Sequence, residues 1–182
     1  MGVIVVTGIP GVGKTTVMKK AAEGIDIQFV TFGTVMVDIA KEMGLVKDRD
    51  EMRKLSLDQQ KKLQIKTAER IAGMKNVIVD THCTIKTPKG YLPGLPEWVI
   101  KKLNPTAIVV VEADSEEIYN RRAKDDTRNR DPDSKEKIDE HQQINRAVAM
   151  AYAALTGATV KIVFNHDDDI DGAVKEAAPV LE

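Results

Sequence analysis

A glycine-rich segment near the start of the sequence has the residue types and the spacing that bind phosphate groups. It reads GIPGVGKTT over residues 8–16 and fits the pattern G-x-x-x-x-G-K-[ST]. Glycines let successive backbone N–H groups approach an anion closely, and a helix that starts beside them adds the positive end of its dipole. In this pattern the lysine reaches the β- and γ-phosphates and the threonine hydroxyl binds Mg²⁺. The segment therefore predicts a site for a nucleoside triphosphate.

The neighbouring residues favour this interpretation over a glycine turn that merely connects two elements. The apolar run VIVVT precedes the motif and a helical pattern follows it, which is the strand-loop-helix context that the motif requires. A second apolar run, VIVD, ends in Asp80, whose carboxylate can hold Mg²⁺ through its water shell. We expect Thr15 and Asp80 to serve the metal. The residues predicted to contact the nucleotide phosphates are Gly8, Ile9, Pro10, Gly11, Val12, Gly13, Lys14, Thr15 and Thr16.

The elements that position these residues predict a doubly wound α/β domain. Short apolar runs without polar alternation are typical of parallel strands buried on both faces, and helical patterns lie between them. Ligands bind at the carboxyl ends of the strands in such folds. We expect one domain over residues 1–182. The five predicted strands are Val3–Thr7, Ile27–Thr31, Val77–Asp80, Ala107–Glu112 and Val160–Phe164. The predicted helices are Lys14–Ala22, Thr34–Met43, Leu57–Ala72, Glu97–Leu103, Ser115–Lys124, one from Ser134 to about Leu155, and one after Asp171.

Composition limits the possible partners and the compartment. The formal net charge of −1 provides no overall basic field for nucleic acid or an anionic membrane. The single cysteine, Cys83, allows no internal disulfide and fits a reducing cytoplasm. No apolar run approaches the ~18 residues of a membrane span. We therefore expect a cytoplasmic protein without nucleic-acid or membrane partners.

Arginines cluster in and beside the segment of residues 120–135, where the spacing predicts a short lid. Guanidinium groups bind phosphoryl oxygens in a bidentate geometry, and phosphoryl transfer depends mainly on cations around the transferring group and on exclusion of water. A solvated hairpin of mixed charge is the alternative, which the phosphate-binding motif makes less favourable. Lys14 and four arginines are the predicted catalytic cations: Arg121, Arg128, Arg130 and Arg146.

Two further segments favour a small acceptor molecule over a hydrolysed nucleotide. The run after the second strand ends near Arg53, which could pair with an anion. The loop of residues 79–96 contains three prolines and two glycines, and long irregular loops in compact domains are often functional. His82 and Cys83 lack the further ligands that a zinc site needs. Asn165-His166-Asp167-Asp168 does not match the N-K-x-D of guanine-binding switches. These features favour a kinase of a small molecule.

The sequence resembles the nucleoside monophosphate kinases, and among them the archaeal adenylate kinases, over essentially its whole length. The distinctive segments are GIPGVGKTT, VTFGTVM, DRDEMRKL, VDTHCTIKTPKGYLPGLP, DDTRNRD and LTGATVKIVFN. The resemblance implies Mg²⁺-dependent reversible transfer from ATP to AMP, giving two ADP. It also implies an AMP-binding region at about residues 32–75, a lid at about residues 124–134, and a homotrimer.

The resemblance assigns further roles to individual positions. Asn165 begins the turn that holds the ATP adenine through backbone groups in such kinases. Gly33, Thr34, Arg53, Thr81 and His82 are the positions it implies for AMP. Bacterial adenylate kinases carry an arginine where Val37 stands and another after D-G-F-P, which here reads DTHCT, so the AMP phosphate contacts stay open.

Two alternatives remain at the level of the sequence. Another monophosphate kinase, for CMP, UMP or dTMP, would use the same phosphate machinery and differ in its base pocket. A nucleotide-switched assembly or RNA-maturation factor would hydrolyse ATP slowly without any acceptor. Turnover with each monophosphate separates these classes.

Overall fold

The computed structural model describes residues 2–124 and 133–182, so Arg128, Arg130 and most of the predicted lid lie outside the described residues. The strands are β1 Val3–Thr7, β2 Gln28–Thr31, β3 Val77–Asp80, β4 Thr84–Thr87, β5 Gly90–Pro93, β6 Ala107–Glu112 and β7 Thr159–Phe164. The helices are α1 Lys14–Ala21, α2 Phe32–Glu42, α3 Leu57–Ala72, α4 Glu97–Leu103, α5 Ser115–Ala123, α6 Lys135–Thr156 and α7 Ile170–Ala177. Short 3₁₀ helices cover Asp50–Lys54 and Ala178–Val180.

Five strands form one parallel sheet in the order β2-β3-β1-β6-β7, which confirms the predicted doubly wound fold. The phosphate-binding strand β1 is central, and β3 and β6 lie on its two sides. The register places Val6 of β1 beside Asp80 of β3. The carboxyl ends of β1 and β3 therefore meet at one rim of the sheet, where an α/β fold binds its ligands.

Both faces of the sheet are covered by helices, which explains why its central strands β1, β3 and β6 lack polar alternation. Val3 and Val5 of β1 belong to a core with α2, α3, α4 and the second half of α6. Ile4 and Val6 belong to a second core with α1, α5 and α7. A buried aliphatic side chain of this kind contributes about 1.5–3 kcal/mol relative to an exposed one. The central strands are thus packed from both sides, and this packing positions the rim that carries the site.

Local sequence signals set the ends of the long helices. Ser56 and Gln59 form a reciprocal capping box at the start of α3, with N–H to side-chain oxygen distances of 3.0 and 3.3 Å. The Ser134 hydroxyl accepts from the backbone of Lys137 at the start of α6. Gly157 ends α6 at a φ of 75°, a conformation that glycine adopts without strain.

The segment after β3 is more ordered than the long irregular loop that the sequence predicts. Residues 84–93 form an antiparallel hairpin in which Thr87 pairs with Gly90 across a two-residue turn. Prolines usually argue against strands, but Pro88 lies in the turn and Pro93 at the end of β5. The Tyr152 hydroxyl on α6 donates to the carbonyl of Cys83 and accepts from the N–H of Leu95, so the hairpin is anchored at its base.

Within residues 2–124 and 133–182, no helix has the length and apolar character needed to cross a membrane.

Candidate active site

The phosphate-binding segment forms the turn between β1 and α1. Gly11 and Gly13 adopt φ angles of 96° and 80°, in the left-handed region that favours glycine. A Cβ atom at Gly8 would lie 2.6 Å from the carbonyl oxygen of Val111, so this position also requires glycine. Gly13 caps α1 without a side-chain hydrogen bond, which leaves the first N–H groups of the helix available to an anion.

The Asp80 carboxylate contacts the side chains of both Lys14 and Thr15, which directly follow this turn. The carboxylate accepts from the Thr15 hydroxyl at 2.6 Å and lies 3.2 Å from the ammonium nitrogen of Lys14. Asp80 is only 6% exposed and lies at the carboxyl end of β3. A hydroxyl and a carboxylate are the oxygen ligands that Mg²⁺ prefers, and Mg²⁺ typically takes only one or two protein ligands beside the substrate phosphates. The donor set therefore fits the metal expected from the sequence.

A cleft of about 800 Å³ opens above this turn and contains most of the predicted site residues. Its two walls are the phosphate-binding turn with Asp80, and the residues after β2 and β3. The predicted positions among its lining are Ile9, Pro10, Gly11, Val12, Gly13, Lys14, Thr15, Thr16, Gly33, Thr34, Asp80, Thr81, His82 and Arg121. A ligand that fills this cleft would contact the phosphate-binding turn on one wall and the polar residues after β2 and β3 on the other wall.

Arg49, which sequence reasoning did not select, lines this cleft. One of its terminal nitrogens lies 3.4 Å from the position that a Cβ atom at Gly33 would occupy. Arg53 is exposed in the 3₁₀ helix and does not line the cleft. Both arginines occur in DRDEMRKL, and which of them faces the cleft depends on the turn geometry before α3. Arg53 as an AMP ligand stays a prediction.

The predicted catalytic arginines occupy different environments. Arg121 lines the cleft and donates to the carbonyl of Asn165 and to the carboxylate of Asp167, each at 2.8 Å. Arg146 instead makes a two-pronged ion pair with the buried carboxylate of Glu112, with 2.6 Å from Nε to Oε1. Arg146 does not line the cleft, and its catalytic role stays a prediction. Arg128 and Arg130 lie outside the described residues.

Asn165 lies behind the phosphate-binding turn. Its side-chain amide donates to the carbonyl of Val12 at 2.7 Å, and its backbone N–H donates to the carbonyl of Glu112 at 2.8 Å. The predicted contact between the turn at Asn165 and an adenine ring stays a prediction.

Cys83 is a buried free cysteine at the end of the turn after β3. Burial raises the pKa of the Cys83 thiol to about 12, which disfavours the thiolate that zinc binds. Within residues 2–124 and 133–182, the one cluster of three candidate ligands is Asp114, Glu117 and His166, on the surface near the end of β7.

A second cavity of about 590 Å³ adjoins the cleft and is lined by Pro10, His82, Thr84, Arg122, Asp133 and His141, among others. His141 is buried, and its Nε2 lies 2.9 Å from the Thr84 hydroxyl. Burial, and then the positive charges of Arg122 and Lys86, lower the pKa of His141 to about 4. The residue is therefore neutral at pH 7 and joins the hairpin to α6 as a hydrogen-bonding group.

This histidine predicts a loss of stability in mild acid. Its folded pKa of about 4 lies below the ordinary value of 6.5, so the unfolded chain binds more protons between these values. Stability contributed by neutral His141 is present above pH 6.5 and is lost as the pH falls towards 4. We expect wild type to lose about 2 kcal/mol from this group between pH 7 and pH 5, measured by urea unfolding.

The His141→Gln variant isolates that contribution, because glutamine keeps hydrogen-bonding capacity without titrating. We expect the variant to lose about 2 kcal/mol less than wild type between the two pH values. Gln143→Ala, at an exposed position on the same helix, changes no titratable group and is the control that should follow wild type. Equal pH dependence in wild type and His141→Gln would contradict the buried, neutral assignment.

Comparisons with known proteins place these features in context. A family model described as "AAA domain" matches residues 7–139. The chain is 55% identical over 188 residues to the adenylate kinase of Methanocaldococcus jannaschii, covering 99% of this chain and 98% of that protein. It is 56% identical over 180 residues to the adenylate kinase of Methanopyrus kandleri, covering 96% and 94% of the two chains.

Solved structures with the same fold share little sequence with this chain. A shikimate kinase from Acinetobacter baumannii in complex with shikimate superposes with a TM-score of 0.61 at 17% identity, covering 100% of this chain and 93% of that one. A gluconokinase from Sinorhizobium meliloti 1021 superposes with a TM-score of 0.54 at 18% identity, covering 99% and 91%. This likeness extends to the fold alone.

Proposed function

Since the chain belongs to the adenylate kinase family, we propose that it transfers the γ-phosphoryl group of ATP reversibly to AMP, giving two ADP. The observation that carries this proposal is the identity of more than half the residues to proteins of that name across nearly the whole chain. The matched length includes both walls of the cleft. The enzyme is accordingly a nucleoside monophosphate kinase, a phosphotransferase.

The phosphate-binding turn is the proposed donor side. Backbone N–H groups of the glycine-rich turn, those of Gly11 and Gly13 among them, would hold the ATP phosphates, and the Lys14 ammonium group would lie at the β- and γ-phosphates. This assignment draws support from the Asp80 carboxylate, which holds both Lys14 and Thr15 at the mouth of the turn. Asn165 lies behind the turn, where the family resemblance expects the adenine to bind.

Thr15 and Asp80 are the residues that would hold Mg²⁺. Bound together with ATP, the ion would neutralise charge on the phosphates, as magnesium ions do in phosphoryl transfer generally. The protein's own contribution is to fix the hydroxyl and the carboxylate 2.6 Å apart, with the carboxylate shielded from water.

The opposite wall of the cleft is the proposed acceptor side. Gly33, Thr34, Thr81 and His82 line it, together with Arg49. We propose that the Arg49 guanidinium group binds the AMP phosphate, because it is the arginine of DRDEMRKL that lines the cleft. A guanidinium group matches phosphate oxygens in two parallel hydrogen bonds.

The transfer itself needs no general base from the protein. The attacking atom is a phosphate oxygen that is already ionised at neutral pH, so in-line positioning and neutralisation of charge are sufficient. Lys14 and Arg121 supply positive charge from the donor side of the cleft. Arg128 and Arg130, proposed from the sequence, would add charge and exclude water when ATP is bound.

Other proposals follow the family resemblance. We propose a single domain with the AMP-binding region at about residues 32–75 and the lid at about residues 124–134. A cytoplasmic homotrimer is the assembly that the family resemblance implies. Its adenine nucleotide partners would be ATP, AMP and ADP.

A screen of acceptors tests the function. The purified protein is mixed with MgATP and with AMP, CMP, UMP or dTMP in separate reactions, and ADP is followed by chromatography. We expect fast, reversible ADP formation with AMP alone. Faster turnover of another monophosphate would favour the kinase alternative. Slow loss of ATP that no monophosphate accelerates would favour the assembly-factor alternative.

A further inference from the structure

Side chains outside the phosphate-binding turn donate hydrogen bonds to two of its backbone carbonyl groups. The Val12 carbonyl accepts from the Asn165 amide at 2.7 Å and from a terminal nitrogen of Arg121 at 3.4 Å. The Pro10 carbonyl accepts from Nε of Arg122 at 2.8 Å. These three donors come from α5 and from the end of β7, which the sequence places more than 100 residues after the turn.

Peptide geometry links each held carbonyl to the amide that follows it. In a trans peptide the C=O of one residue and the N–H of the next point in opposite directions across a rigid plane. Holding the Val12 carbonyl outward therefore directs the Gly13 N–H to the opposite side of the turn. Holding the Pro10 carbonyl does the same for the N–H of Gly11. Both amides belong to glycines, whose wide conformational freedom would otherwise let these planes rotate.

The Asn165 side chain is itself well positioned for this task. Asn165 is 9% exposed, and its own backbone N–H and carbonyl are bonded to Glu112 and Arg121. A Cβ atom at Gly13 would lie 2.5 Å from the Asn165 amide nitrogen, so the turn packs directly on this side chain. The buried Asn165 amide donates to the Val12 carbonyl, and this hydrogen bond restricts rotation of the peptide plane between Val12 and Gly13.

Arg122 is held in a similar way. Its guanidinium group reaches the Pro10 carbonyl through Nε and the Asp133 carboxylate through a terminal nitrogen, at 3.0 Å. Its Cγ would lie 3.1 Å from a Cβ atom at Gly11, so its stem covers the turn beside that residue. Asp133 also accepts from Lys86 at 2.6 Å, which fixes the carboxylate from the hairpin side.

We propose that Asn165 and Arg122 are positioning residues that orient the Gly13 and Gly11 amides toward the phosphate chain of the donor nucleotide. Neither side chain contacts the transferred group in this account. The proposal deepens the proposed function and rests on it only in that the turn binds donor phosphates. It therefore concerns any ligand with a linear di- or triphosphate and is indifferent to the base and to the acceptor.

Calorimetric titration of Asn165→Leu with inorganic tripolyphosphate, MgATP and AMP tests the proposal. Leucine matches the shape of asparagine and removes the donor without adding charge. We expect about tenfold weaker binding of both tripolyphosphate and MgATP, because one oriented amide is lost, while AMP affinity stays within about twofold of wild type. Asn120→Leu, at an exposed position on α5, is the matched control and should bind all three ligands as wild type does.

Two results would overturn the proposal. Unchanged tripolyphosphate affinity in a folded Asn165→Leu variant would show that the amide does not orient the turn. An equal loss for AMP would show general distortion of the cleft. If Asn165→Leu does not fold, Arg122→Lys gives the corresponding test at the Pro10 carbonyl, because lysine keeps the positive charge and loses the Nε donor, with the same expected and contrary results.

Failure of the proposed function remains distinguishable. If wild type binds tripolyphosphate but transfers nothing to AMP, the acceptor assignment is wrong, and the comparison of variants still decides whether the two side chains orient the turn.

Discussion

Replacing Lys14 with alanine should lower kcat by about 10²–10³-fold or more, because a preorganised cation at the transferring phosphoryl group is lost. The Lys14 ammonium group lies 3.2 Å from Asp80 at the mouth of the phosphate-binding turn. In the proposed reaction it would stabilise charge that is spread over the phosphoryl oxygens in the transition state. A steady-state assay of ADP formation from MgATP and AMP measures the effect.

The fold should survive this change. Asp80 keeps its 2.6 Å hydrogen bond from Thr15, so the nearly buried carboxylate is not left without a partner. Circular dichroism and thermal unfolding should therefore match wild type closely. Lys20→Ala is the matched control, because Lys20 lies on the same helix in an exposed ion pair with Asp171. A folded Lys14→Ala enzyme with near-normal turnover would contradict the assignment of the turn to catalysis.

Replacing Arg49 with methionine should raise KM for AMP by about 10–100-fold and leave KM for ATP nearly unchanged. The range corresponds to the loss of one charge-assisted hydrogen-bonding group, worth about 1.5–3 kcal/mol. Arg49 and Lys14 line the same cleft. Arg49 lies on its proposed acceptor side and Lys14 on its proposed donor side. The contrast between the two KM values therefore separates an acceptor contact from a general loss of structure.

Two further arginine substitutions complete this test. Arg53→Met examines the position selected from sequence, which is exposed outside the cleft. Arg70→Met removes an exposed arginine that pairs with Glu42 on α2, and should leave both KM values unchanged. A large rise in KM for AMP at Arg53, with none at Arg49, would reverse our assignment of the AMP phosphate.

The phosphate-binding turn and the sheet could be predicted because their signals are local. Glycine spacing, the preceding apolar strand and the lysine-threonine pair all fall within residues 3–16. The central strands β1, β3 and β6 are buried along their whole length, so each appears as a nearly continuous apolar run. Asp80 could be placed at the rim because it directly follows such a run.

Features that depend on distant contacts could not be predicted. The hairpin of residues 84–93 was not predicted, because prolines in a segment argue against strands. In the structure these prolines lie at positions where they interrupt no hydrogen bonding between the two strands. The Glu112–Arg146 ion pair joins residues 34 positions apart and depends on how α6 crosses the end of β6. The same limitation applies to Asn165, whose bond to the Val12 carbonyl spans 153 positions. Such pairs become visible only when the elements are assembled.

The fate of the γ-phosphoryl group of ATP tests the central claim most directly. The protein is incubated with Mg²⁺, AMP and ATP labelled in its γ-phosphate, and the labelled products are separated before equilibrium is reached. Direct transfer predicts that the label appears in the β-phosphate of ADP, with none released as inorganic phosphate above the Lys14→Ala background. Label found chiefly in inorganic phosphate would mean that water is the acceptor, and would contradict the proposed adenylate kinase activity.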